Sequence, residues 1–294
     1  MVADTCSGRL GRVSPTVAIP TGPAPKRRSP ARTLIIVLCI IVAVLVLAVL
    51  GVVAYANLRP VGAPDYRKAS SDLTSLTEAL EPMMVRQGQM MDLSVTPSQE
   101  QIDKVVAAQH EQLTAFTTAV TDYGSTRALR DPDLKALYDT LTNDTTTSLT
   151  PMVTDFVDHY GAVLTMVQAC TAYDQAWPTI PEKGTNQAWF DSRITSCEKA
   201  VETAGASTTF APLVKVRADH IAAARAAYKA YGEADAKGDE KARLAAQSAI
   251  SKAQLGIGTR MGQATTAVAE ANDKVFAAIT ADITALGTYC DGKS

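Results

Sequence analysis

The sequence predicts an all-α protein, with a single N-terminal transmembrane helix followed by an elongated up-and-down antiparallel helical bundle with coiled-coil-like seams. Three observations carry that prediction. Residues Leu34 to Ala56 contain no charged side chain. Beyond Pro64, apolar residues recur at alternating steps of three and four, which is the spacing of one helix face. Alternation at every second residue, the mark of a half-buried strand, is not convincing anywhere in the chain.

Residues 1–33 hold Arg9, Arg12, Lys26, Arg27, Arg28 and Arg32 against Asp4 alone, a net charge of about +5. The same segment carries Pro15, Pro20, Pro23, Pro25 and Pro30 and few large apolar side chains. It cannot bury enough surface to offset its ordering entropy, so a disordered basic cytoplasmic tail is expected.

Residues 34–56 follow, with Leu34, Leu45 and Ala56 marking the start, middle and end of the expected span. About 23 residues reach about 35 Å as a helix, against a hydrocarbon core of about 30 Å. Basic residues cluster before the run, and only Arg59, Arg67 and Lys68 follow it closely, which keeps the tail inside and exports the rest. Ala54-Tyr55-Ala56 has the form of a signal-peptidase site, but the run exceeds the ~7–15-residue apolar core of a cleaved signal peptide. An uncleaved signal anchor in the cytoplasmic membrane is therefore expected. Cys39 follows Leu38 in mid-run, not a small residue at its end, so a lipoprotein anchor is excluded and Cys39 is an apolar filler.

Residues 57–64, with Pro60, Gly62 and Pro64, read as a stiff linker, and residues 65–294 as the exported helical domain. Removing the tail's six basic and one acidic residue from the totals of 28 and 30 leaves about −7 for the remainder. Phosphate binding needs a basic excess, so no nucleic-acid partner is expected.

The first helix of the domain shows Leu73, Leu76, Leu80, Met83, Gln87 and Met90 on one face, with a kink expected near Ala79–Glu81 from Pro82. Thr96-Pro97-Ser98-Gln99 supplies a cap, a first-turn proline and a capping-box partner. The helix after it carries Ile102, Val106, Gln109, Leu113, Phe116, Val120 and Tyr123, and closes at Gly124-Ser125. Asp131-Pro132 starts a third helix by the same device, running to about Asp174 with a kink expected at Pro151, or alternatively a break. A loop at Trp177–Gly184 precedes a helix through Phe190, Ile194, Cys197 and Val201. Another follows through Leu213, Val216, His220, Ala224, Ala227 and Tyr231, ending near Lys237-Gly238. One last helix is expected from Asp239 to about Cys290.

Seams of this spacing belong to long, nearly antiparallel helices. Many seam positions are Ala, Gly, Ser or Thr, so helices approach closely while burying little apolar area. Cys170, Cys197 and Cys290 are expected to lie near one end of the bundle, outside the cytoplasm, where disulfides form. The three are disulfide candidates, and the one left over is available to cross-link a homo-oligomer.

Candidate chemistry is sparse. Asp155 and His159 stand four apart on one helix face, an arrangement that orients an imidazole, but no further His or Cys stands at ligand spacing beside them. Met83-Met84 and Met90-Met91 offer soft thioethers, at a spacing that places them on the core stripe. Gly256-x-Gly258-x-x-x-Gly262 lacks the strand that a nucleotide loop requires, and marks a bend or a close helix contact. Lys215, Arg217, Arg225 and Lys229 read as a solvated basic face. Asn143-Asp144-Thr145 matches a glycosylation sequon. Tyr173, Trp177, Trp189 and Phe190 gather at one tip of the bundle, as a partner or ligand contact or as a cap sealing the bundle's end.

No catalytic constellation, metal site or cofactor is expected. The leading functional expectation is a non-enzymatic, membrane-anchored interaction or scaffold module whose tip meets a protein or envelope partner. A ligand-sensing bundle, with a small molecule near Met83–Met91 or His159, is the first alternative, and a cell-envelope enzyme using Asp155 or His159 the second.

Overall fold

The computed structural model describes residues 41–52, 59–94, 97–176 and 187–294. Its contacts divide the chain into two units, Met1–Pro60 and Val61–Ser294. In the first unit, residues 41–52 are helical and exposed, Leu45 among them. Leu34 and Ala56, the expected limits of the span, lie outside the described residues, as does the basic tail. Among the described residues no helix is long and apolar enough to cross a membrane.

The second unit is all-helical among its described residues. Helix α1 (Ala63–Met90) opens with Pro64 in its first turn and with the Asp65 carboxylate accepting from the Gly62 N–H at 3.0 Å. It runs through Pro82 unbroken and buries the stripe from Tyr66 to Met90. Helix α2 (Gln99–Tyr123) is capped by Ser98, whose hydroxyl accepts from Gln101 N while the Gln101 side chain returns to Ser98 N at 2.8 Å. The cap thus falls two residues after Thr96, the residue that the sequence pattern favoured. Both residues have capping chemistry and a glutamine three positions on, Gln99 and Gln101, but it is Ser98 that exchanges hydrogen bonds with its glutamine.

A short 3-10 turn (Arg127–Arg130) leads to α3 (Pro132–Asp144), where Asp131 accepts from Asp133 N at 3.0 Å. A π turn (Thr145–Leu149) then joins α3 to α4 (Thr150–Ala176). Here Thr150 N–H bonds the Thr145 carbonyl, five residues back. That widened turn answers Pro151. A proline lacks the N–H for a regular bond, and its ring would strike the carbonyl four residues earlier. The rod is continuous from Pro132 to Ala176.

Helices α5 (Gln187–Ala204) and α6 (Ala211–Lys237) follow, the latter ended by Gly238 at φ 66°. The expected single last helix is two, α7 (Glu240–Gln254) and α8 (Ile257–Lys293). Gly256 takes φ 79° between them, a left-handed conformation that breaks a helix and favours glycine.

Helix α1 packs on α2 and α8, α2 on α4, α4 on α5, α5 on α6, α6 on α7 and α8, and α3 on α8. One continuous apolar core results. Helix α8 runs back past α6 to reach α1, which separates the cysteines. Cys290 is free, buried and beside Tyr123, with the phenol oxygen 3.9 Å from Sγ. Cys170 and Cys197 are bonded to each other elsewhere, between α4 and α5. The expectation that all three share one end fails because the last helix returns beyond the disulfide's level to the start of α1.

Candidate functional site

Several cross-braces gather where α4 ends and α5 begins, on either side of residues 177–186. The Cys170–Cys197 disulfide ties the two helices at a Cα–Cα distance of 4.7 Å. Arg225 of α6 donates to Glu198 at 2.6 Å and to Asp191 at 2.9 Å, clamping α5 to α6. Phe190 stacks on Tyr228 with ring centroids 4.1 Å apart. The Phe190 and Tyr173 rings are buried. These two side chains therefore seal the bundle from within and present no surface to a partner. Trp177 lies outside the described residues; Trp189 belongs to α5, and its side chain falls outside them.

Beneath the aromatic pair sits a buried polar cluster. Arg217 is 5% exposed and His220 0%. Arg217 Nη1 donates to Asp174 Oδ2 at 2.6 Å. His220 Nδ1 lies 2.9 Å from the Ala253 carbonyl and, facing an acceptor, must donate. Arg260 Nη2 reaches the same carbonyl at 3.4 Å. That oxygen belongs to the last turn of α7, where the helix has no further N–H to offer, and cationic or N–H groups stabilise such an end. Burial alone would raise the Asp174 carboxyl, but the facing His220 imidazole, with Nε2 3.5 Å from Oδ1, and the hydrogen bond and charge of Arg217 hold it below the ordinary carboxylate range. The cluster locks α4, α6, α7 and the start of α8 together.

The supposed basic face is thus only partly solvated. Lys215 pairs with Asp219 in solvent, whereas Arg217 turns inward and Arg225 bridges to α5. Arg217 and His220 stand three apart on the seam of α6, with Asp174 near the end of the facing helix. That spacing was the available sequence signal for the buried pair, and charge alone obscured it.

Asp155 and His159 share a face, and both are engaged in contacts that hold the fold. Asp155 Oδ2 accepts from Ser207 Oγ at 2.8 Å and Thr209 N at 2.7 Å, and Oδ1 from Thr208 N at 3.2 Å. The carboxylate thereby caps the turn joining α5 to α6. Burial works against ionisation there, yet these hydrogen bonds win and hold the carboxyl at about 2. His159 Nδ1 lies 2.8 Å from the Asp155 carbonyl, so the imidazole is engaged with its own helix. Met83 and Met90 are core, and Met84 is exposed. Thr145 of the glycosylation sequon is buried in the π turn. Among the described residues no group of His, Cys, Asp and Glu is arranged to hold a metal ion.

Two of the surface recesses among the described residues bear on function. One, about 910 Å³, lies along α8 beside Met84 and Leu137. Thr280, Thr284 and Thr288 each donate to a carbonyl one turn back, so their hydroxyls are satisfied within the helix and the recess is largely apolar. The other, about 570 Å³, lies among Arg86, Met90, Gln101, Ile102, Lys104 and Tyr160. The chain matches no protein-family model, no curated protein and no solved structure.

Proposed function

We propose that this chain is a non-enzymatic, membrane-tethered interaction module of the cell envelope. Residues 34–56 anchor it with the basic tail inside, Val61–Ser294 lies outside the cytoplasm, and Trp177 and Trp189 contact a protein or envelope partner. The Cys170–Cys197 disulfide is the observation that carries this reading. Intrachain disulfides persist in oxidising compartments, and this one staples the two helices that flank residues 177–186. Recognition is commonly carried by segments displayed from a rigid scaffold, and here the scaffold is braced by the Arg225 and Asp174 pairs as well.

The experiment places a photo-crosslinking residue at Trp177 in the full chain and irradiates intact cells, with the same residue at exposed Thr266 as control. A discrete adduct at position 177 alone supports the reading; equal labelling at both, or none, removes this end from consideration. Protease applied to intact cells tests orientation separately, since digestion of the basic tail in place of the C-terminal unit would invert it.

A second reading, a ligand-sensing bundle, is favoured by the recess between Met90 and Tyr160. Its size falls within the range of about 300–1,000 Å³ typical of small-molecule sites. It combines two cationic side chains with apolar walls. A thermal-shift screen of small anions and metabolites separates the readings: a shift abolished by Arg86→Ala favours sensing, and no shift for any compound counts against it.

A further inference from the structure

Three amides are buried in the half of the unit built by α1, α2, α4 and α8. Gln87, Gln109 and Asn272 are 2%, 0% and 3% exposed. Separate contacts place them at one level. Gln109 Nε2 donates to the Met83 carbonyl at 3.1 Å and to Gln87 Oε1 at 3.4 Å. Gln87 Nε2 faces Met152 Sδ of α4 at 3.0 Å. Between α1 and the antiparallel α8, Ser70 Oγ donates to Asp291 Oδ1 at 2.8 Å, and a Cβ on Gly287 would stand 3.5 Å from Leu73 Cδ1. Following that register inward brings Asn272 to the level of Gln87.

The layer is incompletely paired. Gln109 Oε1, Asn272 Oδ1 and Asn272 Nδ2 are buried without a hydrogen-bond partner. Unpaired buried amides destabilise a fold, and apolar residues of similar size would serve stability better. The helices around the layer offer a reason for keeping them. Their seams carry mostly interchangeable aliphatic residues, Leu73, Leu76, Leu80, Ile279, Ile283 and Leu286 among them, and such surfaces look much alike after an axial shift of one turn, about 5.4 Å. A slip of α8 by one turn would carry Asn272 away from the other amides and against apolar side chains. Buried amides at single seam positions are known to specify register at a cost in stability.

We propose that Gln87, Gln109 and Asn272 form a register-determining layer that confines α8 to one axial position against α1 and α2. The layer lies about five to six turns from the hydrogen bonds that Asp131 accepts from Tyr66, at the start of α1, and Tyr289, at the end of α8. The test therefore uses the full chain carrying Tyr289→Phe, which weakens that second constraint.

Ser70→Cys is combined in turn with Asp291→Cys, which is in register, and with Gly287→Cys or Ser294→Cys, which report a slip of one turn in either direction. Each pair is oxidised in native membranes, and cross-linked peptides are quantified by mass. With the amides intact, the 70–291 link should dominate. With Gln87→Leu, Gln109→Leu and Asn272→Leu together, the off-register links should rise at least tenfold while Tm increases. Off-register yields that stay at the parent level, whatever Tm does, overturn the proposal. Should the triple variant lose its helical circular dichroism, Asn272→Leu alone is read by the same yields and the same criterion.

Discussion

Tyr66 and Tyr289, on the first and last helices of the second unit, donate their hydroxyls to one carboxylate oxygen, Asp131 Oδ2, at 2.5 and 2.8 Å. Asp131 also caps α3. One side chain therefore joins the beginning of the fold, its end and the helix that starts its longest rod.

Replacing Asp131 by Ala should cost about 2 kcal/mol, the sum of a lost N-cap and weakened charge-assisted hydrogen bonds. Urea unfolding of a 61–294 fragment measures this. Burial, then the Asp131 bond and charge, push the Tyr66 phenol from 10.0 up to about 12. A raised folded value means that the stabilisation is complete below pH 10 and is lost as pH climbs through about 12. Tyr66→Phe should flatten the alkaline limb of the stability profile; an unchanged limb would remove the tyrosine from this role.

The disulfide spans a sequence separation of 27, for which the chain-entropy description gives about 3–4 kcal/mol. Cys170→Ser with Cys197→Ser should lower the unfolding free energy by that amount, as should reduction of the parent. In urea without reductant, alkylation should label Cys290 and spare both bonded cysteines. Labelling of Cys170 would contradict the pairing.

Asp155 is held at about 2, against an ordinary 3.8, and its side chain is 18% exposed. A depressed folded value gives stabilisation that is present above the ordinary value and lost as pH falls toward the folded one. Asp155→Asn should therefore cost on the order of 2 kcal/mol at neutral pH and progressively less between pH 4 and 2. Equal loss at both ends of that interval would show that the hydrogen bonds to Ser207, Thr208 and Thr209 do not depend on charge.

Arg217 and Asp174 should behave as a coupled pair. Arg217→Met alone strands a buried carboxylate and should cost about 3–5 kcal/mol, whereas Arg217→Met with Asp174→Leu should recover most of that loss. A double-mutant cycle by thermal unfolding checks it, and simple additivity would dissolve the proposed coupling.

Much of the helical layout was legible. The stripe from Leu73 to Met90, the Asp131-Pro132 start and the Gly238 stop are local signals, set by periodicity and capping, and the helices obey them. Three features depend on more than local pattern. Pro151 marks a disturbance, but whether the chain kinks, breaks or widens depends on what packs beside it, and the π turn keeps α3 and α4 in line. Gly256 interrupts an apolar spacing that continues on both sides, so periodicity alone reads through it. Arg217 looks like a surface cation until α4 brings Asp174 across from it. The aromatic group shows the same limit, since Tyr173 and Phe190 are both internal, and composition cannot distinguish an inward ring from a presented one. The amide layer was visible as polar residues on an apolar stripe at Gln87 and Gln109, but Asn272 joins them only through the antiparallel return of α8.

The bond between Cys170 and Cys197 also makes the chain a closed loop at this point. Proteolytic cleavage anywhere from Trp177 to Asn186 would yield two polypeptides that still migrate as one molecule, held by sulfur until a reductant separates them. In an environment rich in peptidases, a nick there would leave the two halves covalently linked.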